Sequence, residues 1–274
     1  VYRKDESAVT QYPLFDITTR TGEAMLIRYP MAGMASEHVS VCVTDLNGHI
    51  LTTLQVDDFD DECYLTNVTW SPDSKYIFVQ VVNRNQHWMD LNMYRADNGR
   101  YVRTILSESN DAWVEPLDPL YFIQGSYDFI YRTDNRDGYR NLYLCDTLCR
   151  VMRLTPVDAD VEYVANDGKY VYYTSAEVSP IENHLFRIRL NGRKIVGKPQ
   201  RLTPEEGWHQ ITMSPDCSQF IDRYSSFNVP GITQVRNADG SLLCRPGGHG
   251  ALIANLNQQD ADVIFIKNID NVDS

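Results

Sequence analysis

No apolar stretch in these 274 residues approaches the run of about 18 that a membrane-spanning helix needs, which excludes a helical membrane architecture. Basic charge is also scarce. Lys and Arg number 25 against 37 Asp and Glu, a formal net charge of −12, and no basic stripe is expected to interrupt it. Such a chain repels phosphate backbones and anionic lipid, so nucleic acid and membrane surfaces are poor partners, and a neutral, cationic or peptide partner fits better. Six cysteines are too few to scaffold a chain of this length, and no C-x-x-C occurs. Cys145 and Cys149 flank a turn in "LYLCDTLCRVMRLT"; they form a cross-hairpin bridge or, more simply, stand as two ordinary strand residues. The six histidines are scattered without ligand spacing, which leaves no candidate metal site, and no cofactor is expected. An initiator Met is missing too: Tyr2 to Ser7 read as the end of a strand, as expected of a fragment or a processed form.

Repetition is what the sequence does have. Turn phrases recur at Ser71-Pro72-Asp73, Ser126-Tyr127-Asp128, Asn166-Asp167-Gly168 and Ser214-Pro215-Asp216, separated by 55, 40 and 48 residues, and "RLTP" occurs at Arg153 and again at Arg201. A further series runs an apolar or aromatic strand into a turn: "VSVCVTDLNG", "LNMYRADNG", "NLYLCDT", "HLFRIRLNG" and "TQVRNADG". Phrases that return in one order every 40 to 50 residues are the signature of four-stranded propeller blades. Segments such as "KYIFVQVV" and "KYVYYTS" have the β-branched and aromatic content of strands, with Asp-Gly, Asn-Gly and Pro-Asp between them. The fold expected is all-β, a partial β-propeller of about four to five four-stranded antiparallel blades. Part of one blade falls at about 1–60, and the others at about 62–106, 113–155, 156–203 and 204–244. Trp70 and Phe78 are expected in the packing between blade faces. Asp57 to Glu62 read as a solvated hairpin tip, since their spacing fits no calcium loop.

Six phrases in order suggest a family. "YRKDESAVTQYPLFDI" (2–17), "RYPMAG" (28–33), "NRNQHWMDL" (83–91), "AWVE" (112–115), "NRDGYRNLYLCD" (135–146) and "GWHQITMSPD…FIDRYSSFNVP" (207–230) resemble the N-terminal propeller of dipeptidyl peptidase IV-like serine peptidases, of the prolyl oligopeptidase clan. The resemblance implies a ring of seven or eight blades, which four and a half blades do not close. It further implies a propeller that walls a cavity, admits short or unfolded peptides and helps to grip the substrate's free amino terminus. Catalysis in that family resides in a second, α/β-hydrolase domain with a G-x-S-Y-G-G elbow, which presents the serine to its base and oxyanion donors. No G-x-S-x-G occurs here, so no catalytic residue is assigned.

The resemblance places the paired glutamates that hold the substrate amine upstream of Val1. Glu205 and Glu206 sit instead in the turn opening the last blade and read as solvated. The loop 175–186 matches the place where family members direct an arginine at the substrate; Glu182 and Asn183 stand there and are weak substrate-binding candidates. Arg84 and Gln86 alternate, which puts both on one face of a strand as a structural brace between blades.

Residues 245–274 change character and form a short α/β-like tail distinct from the propeller at 1–244. It reads as the linker into a hydrolase domain or as a joined stretch resembling an uncharacterised Bacteroidetes α/β family. Gly247, Gly248 and Gly250 are too isolated for a phosphate loop. The function expected is substrate gating in a dipeptidyl peptidase IV-like exopeptidase acting on peptide N-termini, periplasmic or extracellular by resemblance, with a homodimeric parent compatible and the chain itself inactive. The alternative is a stand-alone propeller serving as a periplasmic interaction scaffold.

Overall fold

The computed structural model describes residues 1–59 and 62–246. The chain divides into two compact units, Val1–Asp158 and Ala159–Ser274. In the first unit, β1 (Tyr2–Asp5), β4 (His38–Thr44) and β5 (Ile50–Thr53) form an antiparallel sheet, with β2 (Gln11–Asp16) and β3 (Glu23–Arg28) as a separate hairpin. Two complete blades follow. One is β6 (Cys63–Trp70), β7 (Tyr76–Asn83), β8 (Trp88–Arg95) and β9 (Tyr101–Ser109); the other is β10 (Tyr121–Phe122), β11 (Phe129–Thr133), β12 (Asn141–Cys145) and β13 (Val151–Arg153). The second unit holds two more: β14 (Val161–Asn166), β15 (Tyr170–Ser175), β16 (His184–Asn191) and β17 (Lys194–Arg201), then β18 (Trp208–Met213), β19 (Gln219–Ser226), β20 (Val229–Asn237) and β21 (Leu242–Cys244). Each blade pairs its strands in sequence order, the up-and-down pattern of a propeller, so the fold is all-β and a partial β-propeller. The strands keep to the spans expected from the repeat, except that β9 runs on to Ser109.

The repeated phrase is a turn device. In the first blade Ser71 Oγ accepts from the Tyr76 amide at 2.9 Å and donates to Asp73 at 2.8 Å, while the Ser71 amide donates to the Tyr76 carbonyl. The last blade repeats this atom for atom: Ser214 Oγ accepts from Gln219 N at 3.1 Å and donates to Asp216 at 2.6 Å, and Ser214 N donates to the Gln219 carbonyl. Carboxylates so placed are held ionised. The Tyr127 hydroxyl keeps Asp73 well below the usual carboxylate range, and the Ser214 hydroxyl takes the lead in bringing Asp216 down to about 2. The phrase returns because each blade must turn from its first strand into its second, and it carries no chemistry.

The blades are glued by apolar faces. β7 is buried on both sides: Ile77, Val79 and Val81 join Val41, Leu54 and Tyr94 on one face, and Phe78 and Val82 join Met89, Phe129 and Tyr143 on the other. In the second unit Tyr172, Leu185, Leu202, Cys217 and Phe220 form the corresponding seam. Phe78 takes its expected place, with none of its surface exposed, but Trp70 does not and is 46% exposed. It ends β6 beside Ser74, Lys75 and Arg95–Asp97, where turn residues rather than an adjoining blade surround it.

Three further expectations need correcting. Arg84 and Gln86 lie beyond the end of β7, in the turn to β8, and Gln86 takes a positive φ of 59°; the polar pair closes a hairpin instead of alternating along a strand. Cys145 and Cys149 are not joined by a disulfide, and only the first is a strand residue: Cys145 pairs with Val151, and Cys149 sits in the turn at φ 65°. Positive charge is not evenly diluted either. From Asn183 to Pro204 the chain carries Arg187, Arg189, Arg193, Lys194, Lys198 and Arg201 and no acid. Lys194, Lys198 and Pro199 stand on the outer edge strand β17, where charge and proline discourage a further strand from adding.

Gly99 supplies one expected outcome. Its φ is +70°, and an added Cβ would stand 2.1 Å from the Thr53 carbonyl oxygen, so Gly99→Ala forces two sheets apart. Strain of this kind costs about 3 kcal/mol or more, visible as a lower urea midpoint; an unchanged midpoint would contradict the packing of the β8–β9 turn on Thr53. A second outcome concerns Glu108, buried on β9, which accepts from Tyr131 and Thr133 through Oε2 at 2.9 and 2.8 Å. Burial raises its pKa above the ordinary glutamate value. The unfolded chain then releases this proton first, so stability falls as pH rises from the unfolded pKa through the higher folded one. Glu108→Gln should lack that decline, and its melting temperature relative to the parent should rise as pH is raised from about 4 to 7. A difference constant with pH would mean that folding leaves the Glu108 pKa unshifted.

Candidate substrate-facing cleft

The first strands of the two blades in the second unit, β14 and β18, border an open cleft of about 1000 Å3. Tyr163, Val164, Ala165, Ile211 and Met213 give it apolar walls, Asp160 and Glu162 stand on one side, and Trp208, 48% exposed, on the other. Among the described residues, neither Lys nor Arg lines it.

Of the predicted site residues, Asn183 reaches this cleft and Glu182 does not line it. Asn183 pairs in parallel with Trp208: its amide donates to the Gly207 carbonyl at 3.2 Å, and its carbonyl accepts from the His209 amide at 2.9 Å. Its side-chain amide also donates to the His209 carbonyl at 2.9 Å. Asn183 thus caps the start of β18 with backbone and side chain together. Glu182 lies 2.8 Å from Nε2 of His184, whose Nδ1 stands 3.2 Å from the Thr203 hydroxyl. Burial lowers the His184 pKa, so the ring is held neutral within the blade.

Beneath the cleft lies a buried ionic cluster that sequence reasoning missed. Asp222 is fully buried on β19; its Oδ1 is 2.7 Å from His209 Nδ1, and its Oδ2 accepts from Gln234 at 3.0 Å and from Arg236 Nε at 3.3 Å. Arg236 also grips both oxygens of Glu205, one at 2.6 Å, and donates to the Gly240 carbonyl at 2.8 Å. His209 Nε2 donates to the Glu205 carbonyl at 2.9 Å. Both ring nitrogens therefore face acceptors. Glu205 is thus no freely solvated turn residue but the partly exposed half of a salt bridge to the buried Arg236, while Glu206 beside it is exposed. The cluster had one sequence signal: Asp222 shares strand parity with the buried Phe220 and Tyr224, and a charge at a core position demands a partner.

Away from the cleft, Arg84 donates to the Met34 carbonyl at 3.2 Å and lies 3.6 Å from Glu62, tying the β7–β8 turn to the segment before β4. The Gln86 carbonyl accepts from Val114 N at 2.7 Å. Among the described residues, no group of three or more His, Cys, Asp or Glu could hold a metal ion, and no helix is long and apolar enough to cross a membrane.

The model of the dipeptidyl peptidase IV (DPP IV) N-terminal region matches residues 1–231. The chain belongs to that family. Among solved structures, a Bacteroides ovatus protein assigned as a dipeptidyl aminopeptidase IV is 31% identical with a TM-score of 0.75, covering 89% of this chain and 38% of that one. Porphyromonas gingivalis dipeptidyl peptidase 4 is 24% identical with a TM-score of 0.77, covering 93% and 36%, and shares the fold. Dipeptidyl-aminopeptidase B of Aspergillus niger is 23% identical over 260 residues, 83% of this chain and 28% of its own length. The chain therefore spans well under half of each of these DPP IV relatives. A second model, a domain of unknown function (DUF4301), matches residues 229–274.

Proposed function

We propose that residues 1–244 act as the substrate-selecting propeller region of a dipeptidyl peptidase IV-like serine exopeptidase that works on peptide N-termini. The observation that carries this reading is the family match over residues 1–231, laid on blades whose strands follow the repeat throughout. The cleft suits the role: its walls combine a backbone edge and apolar side chains with the acids Asp160 and Glu162, a lining that can hold a peptide. Glu182 and Asn183 act here as positioning residues, one fixing His184 and the other the start of β18, and Arg84 and Gln86 brace the first complete blade. A periplasmic or extracellular setting and a homodimeric parent belong to the same reading and rest on kinship alone. Residues 245–274 are read as a stretch of separate origin, which the second family match favours over a linker.

The chain as it stands, with no G-x-S-x-G in its 274 residues, is expected to leave Gly-Pro and Ala-Pro chromogenic substrates untouched. Turnover blocked by a serine-directed phosphonate would overturn the assignment of chemistry to another domain.

A further inference from the structure

β18 is the first strand of its sheet, with β19 on one side and, among the described residues, no strand paired along the opposite edge. The isolated Asn183–Trp208 bridge shows which residues face that edge: the amide and carbonyl of His209 both point outward, and Asn183 takes both. Backbone direction alternates along a strand, so the amides and carbonyls of Ile211 and Met213 face the same way, into the cleft. Asn183 therefore occupies the first rung of a ladder whose next two rungs are presented to the cleft of about 1000 Å3.

The lining of this groove selects the occupant. Asp160 and Glu162 stand on the opposite wall, Trp208 offers an exposed aromatic face at the Asn183 end, and among the described residues no cation lines the cleft to repel a basic chain. β17, the opposite edge strand of the neighbouring blade in this unit, carries Lys194, Lys198 and Pro199, the residues that discourage strand addition. β18 has no Lys, Arg or Pro among Trp208–Met213. One edge is defended and the other is not.

We infer that the free edge of β18, beyond the rung taken by Asn183, receives an extended peptide segment rich in basic side chains, which adds as a strand in the cleft. Main-chain hydrogen bonds to Ile211 and Met213 hold the segment whatever its sequence, and the acidic wall and Trp208 favour Lys and Arg side chains. This deepens the peptide-selecting reading of the same cleft and rests on it: substrates would be drawn in as extended, positively charged chains.

The test uses the full chain and three peptides of about eight residues, blocked at both ends so that no free amine contributes. One alternates Lys with Ala, one alternates Glu with Ala, and the third is the Lys peptide N-methylated on alternate amides to remove the ladder donors. Calorimetry should show the Lys peptide binding about tenfold or more tightly than the Glu peptide, weakening as salt rises from about 0.1 to 0.5 M. The N-methylated peptide should bind at least about tenfold more weakly, and the exposed Glu162→Lys substitution should lower affinity for the Lys peptide alone. Backbone amide NMR shifts should centre on Ile211 and Met213. Equal binding of the Lys and Glu peptides would sink the charge selection, and undiminished binding of the N-methylated peptide would sink strand addition. Failure of all three to bind would sink the inference as a whole. None of these outcomes touches the family's amine-directed selection, which blocked peptides do not probe.

Discussion

Asp222→Ala is expected to cost about 3 to 5 kcal/mol, because it strands the buried Arg236 and His209 without the carboxylate that both face. The neighbouring exposed Glu206→Ala should change stability by no more than about 0.5 kcal/mol, although both residues are acids in the same blade. The contrast separates a buried cluster from a merely acidic surface. Beyond stability, the substitution should loosen the start of β18, since His209 donates through its backbone to Asn183 and through its ring to the Glu205 carbonyl. Urea unfolding measures the first effect and hydrogen exchange of the His209 amide the second. An Asp222→Ala midpoint within error of the parent would mean that the cluster is solvated and does not organise the cleft.

The second large effect is expected at Phe78. Its ring lies 5.5 Å from Phe122 and 6.2 Å from Phe129, between two blades of the first unit, with no exposed surface. Phe78→Ala leaves a cavity that the flanking sheets cannot fill and should cost about 3 to 5 kcal/mol. Trp70→Ala should cost less than about 1 kcal/mol, because much of that side chain already meets water. Thermal melts of the two variants side by side test the register of β6 and β7, and equal losses would contradict it.

Most of the fold was legible because the repeat lies in local chemistry. Ser-Pro-Asp fixes a turn through bonds among residues no more than five apart, and such bonds can be read from sequence. Trp70 escaped because exposure depends on what lies beyond the end of β6, which alternation along one strand does not report. Arg84 and Gln86 were misplaced because a hairpin turn ends the strand at Asn83, before either residue. The cleft was legible only in part. Asn183 drew notice as a departure from the family pattern, yet its role follows from a parallel bridge to a residue 25 positions on, a pairing with no sequence signature. Around Asp222 on β19 the cluster gathers Glu205, His209, Gln234 and Arg236 from a turn and two further strands, and only the oddity of a charge at a core position hinted at it.

The account's central claim is that these blades select peptides for chemistry performed elsewhere. Its most direct measurement replaces the corresponding propeller span of the 31% identical Bacteroides ovatus relative with residues 1–231 and compares dipeptide release from short and folded substrates. The account predicts that the chimera keeps a serine-directed-inhibitor-sensitive activity on short peptides while its preference among peptide sequences shifts from that of its parent. A chimera that folds and cleaves with the parent's preferences unchanged would contradict it.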